Sequence, residues 1–280
     1  MTFWGTPFFA GRLHDLKRSG WWGRPGRSTG FWGGVLLVLL GLGWLVYRLM
    51  TGDFAYNWQW YRVWRYLGVW KEGGFTQGPL LEGLVVTGRI AAAGLVCAVF
   101  AGVSAALLRL SPWPVGRGVA HVYIGCIRNT PLLLQLFVVY FLVSPVFGLG
   151  PFGSAVLALG AFEGAYMAEL FRAGLLAVPR SQWEAGISLG LGIPATLRLV
   201  MLPQAVRAML PPLTSQLVSL IKDTSLVSAI AVGDLTMRAQ EIIADSFLAF
   251  EVWLVVAGLY LLLTLCVAVP ARWLEQRYRW

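Results

Sequence analysis

The sequence predicts an all-α protein, a polytopic transmembrane helix bundle, and three observations lead there. Of its 280 residues, 58% are hydrophobic and only 12% charged, about half the roughly 25% charged share of a soluble domain. Mean hydropathy is +0.68. The apolar residues gather into six blocks, 31–47, 84–108, 119–147, 152–176, 209–232 and 250–269, each within reach of the roughly 17–25 residues that cross a bilayer as a helix. So apolar a composition excludes a soluble enzyme, which needs polar surface to face water, and also a disordered chain, which needs low hydrophobicity.

Residues 1–30 form a basic tail, with Arg12, Lys17, Arg18, Arg24 and Arg27 against Asp15 alone. The run Phe31–Tyr47 is followed by Arg48-Leu49-Met50 rather than by a small-residue cleavage pattern. It is therefore expected to remain as a first span, within a segment 31–50. Residues 51–80 center on Tyr56-Asn57-Trp58-Gln59-Trp60-Tyr61. Such aromatics favour the membrane–water boundary, and an interfacial segment is expected rather than a span. The block 119–147 is interrupted by Arg128 and Pro131, so its core is expected from Leu132. Pro211-Pro212 interrupts the start of 209–232, and Pro270 ends the last block.

Orientation follows from basic residues in the connections. With a cytoplasmic N-terminus, segments 1–30, 109–118, 172–207 and 270–280 lie inside and hold 14 Lys and Arg. Segments 51–80, 148–151 and 233–250 lie outside and hold 4. Both termini are therefore expected inside. This distribution also accounts for the net charge of +9, since the basic residues are spread between apolar blocks and not clustered as a nucleic-acid footprint. Small residues recur every four positions at Gly94, Ala98 and Gly102, and again at Gly160, Gly164 and Ala168. These are packing seams that let backbones approach.

Cys97, Cys126 and Cys266 lie far apart in apolar stretches and are expected to be buried free thiols. His14 and His121 have no neighbours that would complete a metal site. None of the lysines, Lys17, Lys71 and Lys222, follows a glycine, so a phosphate-cradling nucleotide loop is absent. If ATP drives this protein, another chain hydrolyses it, and no cofactor is expected.

The connection Arg172–Arg207 is too long for a turn and too short for a domain. Ser181-Gln182-Trp183-Glu184 has the spacing of a capping box, predicting a helix from Ser181. Gly190 and Gly192 can end that helix, and Pro194 suits the first turn of a second short helix. Two short helices around a glycine corner make a rigid cytoplasmic protrusion.

Four segments carry a family resemblance. Glu184-Ala185-Gly186, Gly190 and Val200-Met201-Leu202-Pro203 resemble the E-A-A-x-x-x-G-x9-I-x-L-P loop of ABC importer permeases, with Gly186 for the second Ala and Val200 for Ile. Arg128-Asn129-Thr130-Pro131-Leu132-Leu133-Leu134-Gln135-Leu136 resembles the R-G-T-P-L-L-x-Q-L stretch of polar amino-acid permeases. Gly164-Ala165-Tyr166 with Ala168-Glu169-Leu170-Phe171-Arg172 is similar to their G-A-Y-x-A-E-x-F-R, and Lys222-Asp223-Thr224-Ser225-Leu226 to their K-D-T-S-L. The resemblance covers about residues 80–270. It implies a five-helix type I importer permease core at 81–270, one extra N-terminal span, and a C-terminal tail at 271–280. It also implies a coupling loop at 176–205 that docks on a separate ABC ATPase, with Ser181, Glu184, Ala185, Gly186, Gly190, Val200, Leu202 and Pro203 shaping it. The implied partners are an ATPase dimer, a second permease chain, a periplasmic amino-acid-binding protein and membrane lipid. The implied substrate is a polar amino acid, and the location is the bacterial inner membrane. A secondary transporter would instead favour symmetry between halves, which the sequence lacks. A membrane enzyme would need a catalytic motif, and none emerges.

Charges at bilayer depth default to function, and Arg128, Glu163, Lys222 and Asp223 qualify. Ser215, Ser219 and Lys222 fall on one helical stripe, while Asp223 points about 100° away from Lys222 and needs its own partner. With Thr130 and Thr224 of the same motifs, Arg128, Glu163, Ser219, Lys222 and Asp223 are the candidate translocation pathway. Arg128 could hold a substrate carboxylate, or tie helices together, or snorkel to headgroups. Glu163 could meet a substrate ammonium or hydrogen-bond another helix. Glu169 and Arg172, three apart, are expected to pair.

Overall fold

The structure is a computed structural model that describes residues 33–34, 36–37, 40–41, 43–44, 47–48, 56–71 and 73–278. The chain divides into two units, Met1–Trp58 and Gln59–Trp280. The basic tail 1–30 lies outside the described residues, as does much of the expected first span. The described positions of that span are helical, with the Arg48 guanidinium over the Trp44 ring at 5.6 Å.

The second unit opens with a short helix α1 (Trp60–Leu67) and a hairpin of β1 (Gly68–Lys71) with β2 (Gly74–Gln77), in which Val69 faces Thr76 and Trp70 faces Phe75. Val63 is the buried anchor of α1. The Gln59 amide adds a 2.7 Å hydrogen bond to Glu251. At 8 residues α1 is about 12 Å long, so the described part of 51–80 does not span.

Among the described residues, three helices are long and apolar enough to cross a membrane: α2 (Pro79–Leu110), α5 (Pro151–Ala177) and α9 (Ala249–Tyr278). Two bent pairs bring the possible number to 5. The first is α3 (Pro114–Arg128) with α4 (Leu132–Phe147), bent by 111°. The break falls where Arg128 and Pro131 predict it, but the residues before it form a helix of their own. The second pair is α7 (Ile193–Ile230) with α8 (Leu235–Ser246), bent by 51°. Asp234 caps α8, its carboxylate accepting from the Thr236 and Met237 amides at 3.1 and 2.9 Å. The connection expected at 233–250 thus contains a helix of 12 residues.

Three expectations change. Pro270 does not end the last helix but lies inside α9, which runs on to Tyr278. Pro211 and Pro212 lie inside the helix Leu202–Asp223 and do not interrupt it. The helix runs on past them, a tolerance of proline known for membrane helices, and the Thr214 and Ser215 hydroxyls in the following turn donate to the Leu210 and Pro211 carbonyls. The cysteines are free, as expected, yet all three are exposed on the chain's surface. In a membrane protein an apolar thiol faces outward as readily as a valine, because the surroundings are as apolar as the core.

The pairing of α2 with α5 is the most extensive in the fold, and it uses the two small-residue seams. A Cβ added at Gly160 would lie 2.4 Å from Cys97 Cβ, and one at Gly164 would lie 2.8 Å from Ala101 Cβ. Around this seam Ile90, Leu136, Leu159 and Leu220 close a core shared by α2, α4, α5 and α7. Gly160→Ala is accordingly expected to cost about 1–3 kcal/mol through overpacking against backbone-anchored atoms. Gly88→Ala, where nothing lies within 4 Å, should be neutral or slightly stabilising. Thermal unfolding of the detergent-solubilised protein separates the two, and equal midpoints would refute the seam.

Candidate functional site

The loop between α5 and α7 begins with α6 (Arg180–Ser188), which starts one residue before the expected Ser181. The capping box is not formed: no side chain caps the helix, Pro179 occupies the cap position, and Glu184 pairs with Arg180 at 3.0 Å. Proline at the cap leaves no side-chain oxygen there, and a four-residue spacing within the helix suits an Arg–Glu pair better. Ser181, Glu184 and Ala185 are all exposed.

The end of α6 follows the glycine prediction. Gly190 has φ +81°, and the Leu191 and Gly190 amides donate to the Gly186 and Ile187 carbonyls at 3.2 and 2.9 Å. This is a Schellman closure, which favours glycine at the left-handed position. Gly186 is buried against Thr196, whose Cγ2 lies 2.6 Å from where a Cβ would sit. The departure from the second alanine of the motif thus permits close packing of α6 on the start of α7. No separate second short helix exists. Pro194 begins α7 as expected, but α7 continues through a π turn at Leu197–Met201 into Leu202–Asp223 and tightens to a 3-10 helix over Thr224–Ile230. Val200 is half-buried, its carbonyl accepting from Gln204. Leu202 and Pro203 line a groove of about 460 Å³ with Val206, Arg207, Leu210 and Leu274. At the tip of the loop the apolar Ile187, Leu189 and Ile193 are exposed, Leu189 by 81%.

Glu163 of α5 is fully buried. Its Oε2 accepts from Gln216 Nε2, and Oε1 has no donor. The Asp223 carboxyl lies beside it. Gln216 and Asp223 are seven apart and so share a face of α7. The sequence reading missed Gln216, although a glutamine in an apolar run seven residues before Asp223 was a usable signal. The adjoining face of α7, roughly a quarter-turn round, carries Ser215, Ser219 and Lys222, all exposed. Thr224 is buried, its hydroxyl donating to the Ile221 carbonyl at 2.6 Å.

Arg128 and Thr130 stand apart from that pair, at the α3–α4 corner. Thr130 donates to the Cys126 carbonyl at 2.9 Å, Asn129 to Gly125 at 2.7 Å, and Gln135 to Ile127 at 2.8 Å. These bonds satisfy carbonyls that the end of α3 leaves open. The Arg128 guanidinium stacks on Tyr166 at 5.0 Å and lies 4.0 Å from Glu169. Glu169 pairs with Arg172 at 3.1 Å, as their spacing predicts, and also with Arg109. The sequence reading missed Arg109, which is 60 residues away from Glu169 in the chain.

A helical membrane bundle with a helix-capped protrusion beyond its apolar blocks defines a multi-pass membrane transport component. Residues 98–280 match the family described as Binding-protein-dependent transport system inner membrane component, and the chain belongs to that family as an inner-membrane protein. It is 40% identical over 203 residues to the Glutamine transport system permease protein GlnP of Escherichia coli (strain K12), covering 71% of this chain and 93% of that protein. It is 50% identical over 139 residues to the L-cystine transport system permease protein TcyB of Bacillus subtilis (strain 168), covering 49% and 59%. The solved structure described as an amino acid ABC transporter with histidines is similar at a TM-score of 0.66 and 33% identity, covering 71% of this chain and 94% of that one.

Gln216→Leu removes the donor from a buried carboxylate and should cost about 1–3 kcal/mol of stability. Ser219→Ala, on the exposed face, should stay within about 0.5 kcal/mol. Chemical denaturation in detergent measures both, and a Gln216→Leu protein as stable as the parent would remove the Glu163 contact from the account.

Proposed function

We propose that this chain is the membrane-spanning subunit of an ABC importer that carries polar amino acids inward by alternating access. The observation that carries this reading is the apolar tip of Ile187, Leu189 and Ile193, held on a closed helix end outside the apolar spans. Exposed apolar side chains on a rigid projection suit the groove of a soluble partner. That partner is an ATPase dimer, since this chain has no nucleotide loop. A second permease chain, identical or homologous, and a periplasmic amino-acid-binding protein complete the machine. The family description, binding-protein-dependent transport, supports the binding protein, and the relatives named as glutamine and L-cystine permeases support an amino-acid substrate.

In this reading the two termini are cytoplasmic. Residues 31–50 add a span to the five-helix core 81–270, and 51–80 lie at the outer boundary. Segment 176–205 is the coupling loop, and 1–30 and 271–280 are tails. The translocation path runs by Glu163 of α5 and Asp223 of α7, and by Ser219, Lys222 and Thr224 of α7. Glu163 is the group suited to a substrate ammonium, because two adjoining carboxyls, its own buried one and the half-buried one of Asp223, attract a cation strongly at low local dielectric. Arg128 and Thr130 serve the α3–α4 corner, Arg128 as a tie to Glu169.

The reading is tested by reconstituting the chain with its co-purifying subunits in proteoliposomes. Uptake of polar amino acids should require ATP inside the assembly's ATPase side and the binding protein on the other. Uptake indifferent to ATP would overturn it in favour of a secondary transporter. Ile187→Asp and Glu184→Lys should each lower substrate-stimulated ATP hydrolysis by about tenfold or more, the equivalent of about 1.4 kcal/mol of lost docking, while the chain still inserts. Wild-type stimulation in both variants would take the tip out of the coupling contact.

A further inference from the structure

The cluster around Glu169 is unbalanced. Arg109, Arg128 and Arg172 converge on this one carboxylate, with Arg109 and Arg172 hydrogen-bonded to it and Arg128 at 4.0 Å. His121 does not relieve the excess, since its Nδ1 lies 3.2 Å from the Arg117 carbonyl and Nε2 faces Arg109 at 3.2 Å. Three guanidinium groups against one carboxylate leave two positive charges in a partly exposed site. The charges of Arg172 and Arg128 act unfavourably on Arg109, so an anion would lower the energy of the cluster.

The surroundings say what kind of anion fits. On α3, Gly118, His121, Gly125 and Arg128 follow one another at helical spacings along one stripe. A Cβ at Gly118 or Gly125 would meet nothing within 4 Å. The stripe is thus a shallow lane ending at Arg128. Its border is apolar, with Val115 and Val122 exposed on the adjoining side of α3. A small inorganic anion has no use for such borders, whereas an amphiphile uses both parts. Arginine forks match phosphate oxygens bidentately, and basic pockets between membrane helices hold anionic headgroups. We propose that Arg109, Arg128 and Arg172 hold the phosphodiester headgroup of an anionic phospholipid, whose acyl chain lies along the glycine lane of α3.

The intact purified complex, exchanged into vesicles of equal phosphatidylglycerol and phosphatidylcholine, tests this by native mass spectrometry of retained lipid. Phosphatidylglycerol should be enriched over phosphatidylcholine by about 30-fold, as two uncompensated charges near a membrane surface predict. Arg128→Gln should lower that enrichment about fivefold, and Arg128→Lys should retain most of it. Gly118→Leu fills the lane where space is open, and should lower retention of the lipid without moving the thermal midpoint; it decides the matter if Arg128→Gln fails to fold. Equal retention of the two lipids overturns the proposal. Displacement by millimolar inorganic phosphate overturns the lipid in favour of a simple anion site. Displacement by a polar amino acid overturns it in favour of a substrate site. Lipid retention is read without transport, so its failure is distinct from failure of the importer reading.

Discussion

The close approach of α2 and α5 is the constraint on which the remaining structure depends. Two helices in lipid gain nothing from hiding apolar surface, since lipid is as apolar as leucine, and they associate through tight packing. Gly160 and Gly164 present bare backbone to Cys97, Ala98 and Ala101. That surface holds α5 in place, and α5 carries both carboxylates of consequence. Gly102 brings the same seam to Met167 and to the Gly164 carbonyl, so α5 is held along its length up to Glu169.

Glu163 and Glu169 lie six residues apart on one helix and have opposite environments. The first is buried, with a neutral amide donor and a second carboxyl beside it. The second is partly exposed among three arginines. Nothing intrinsic to glutamate makes this difference. It comes from the neighbours, α7 at the first and α2 with α3 at the second. Ion pairs with partial exposure contribute modestly to stability, so the Glu169 cluster acts chiefly to fix how α2, α3 and α5 meet.

The protrusion and the buried pair are joined by one element. α7 runs from Ile193 at the exposed tip to Asp223 beside Glu163 and on to Ile230. The Schellman closure at Gly190 and the contact of Gly186 with Thr196 lock α6 onto its first turns. The tip and the buried pair are thus carried by one continuous helix, with the π turn at Leu197–Met201 as its local departure from regular geometry.

Hydrophobic patterning alone determined the all-α class, the positions of α2, α5 and α9, the break at Arg128–Pro131 and the glycine that closes α6. Each of these is local or depends only on water avoiding apolar chain. Adjacent spacing also made the Glu169–Arg172 pair legible. The partners that tertiary structure decided are far apart in sequence: Gln216 with Glu163, Arg109 with Glu169, and Glu251 with the Gln59 amide. No periodicity encodes such contacts, because they exist only once separate helices are packed. The capping box failed for a related reason, since Pro179 took the cap and the Arg180–Glu184 pair took the glutamate. The continuity of α7 was hidden because proline usually breaks a helix, and whether the packed bundle tolerates it is decided only once the helices assemble.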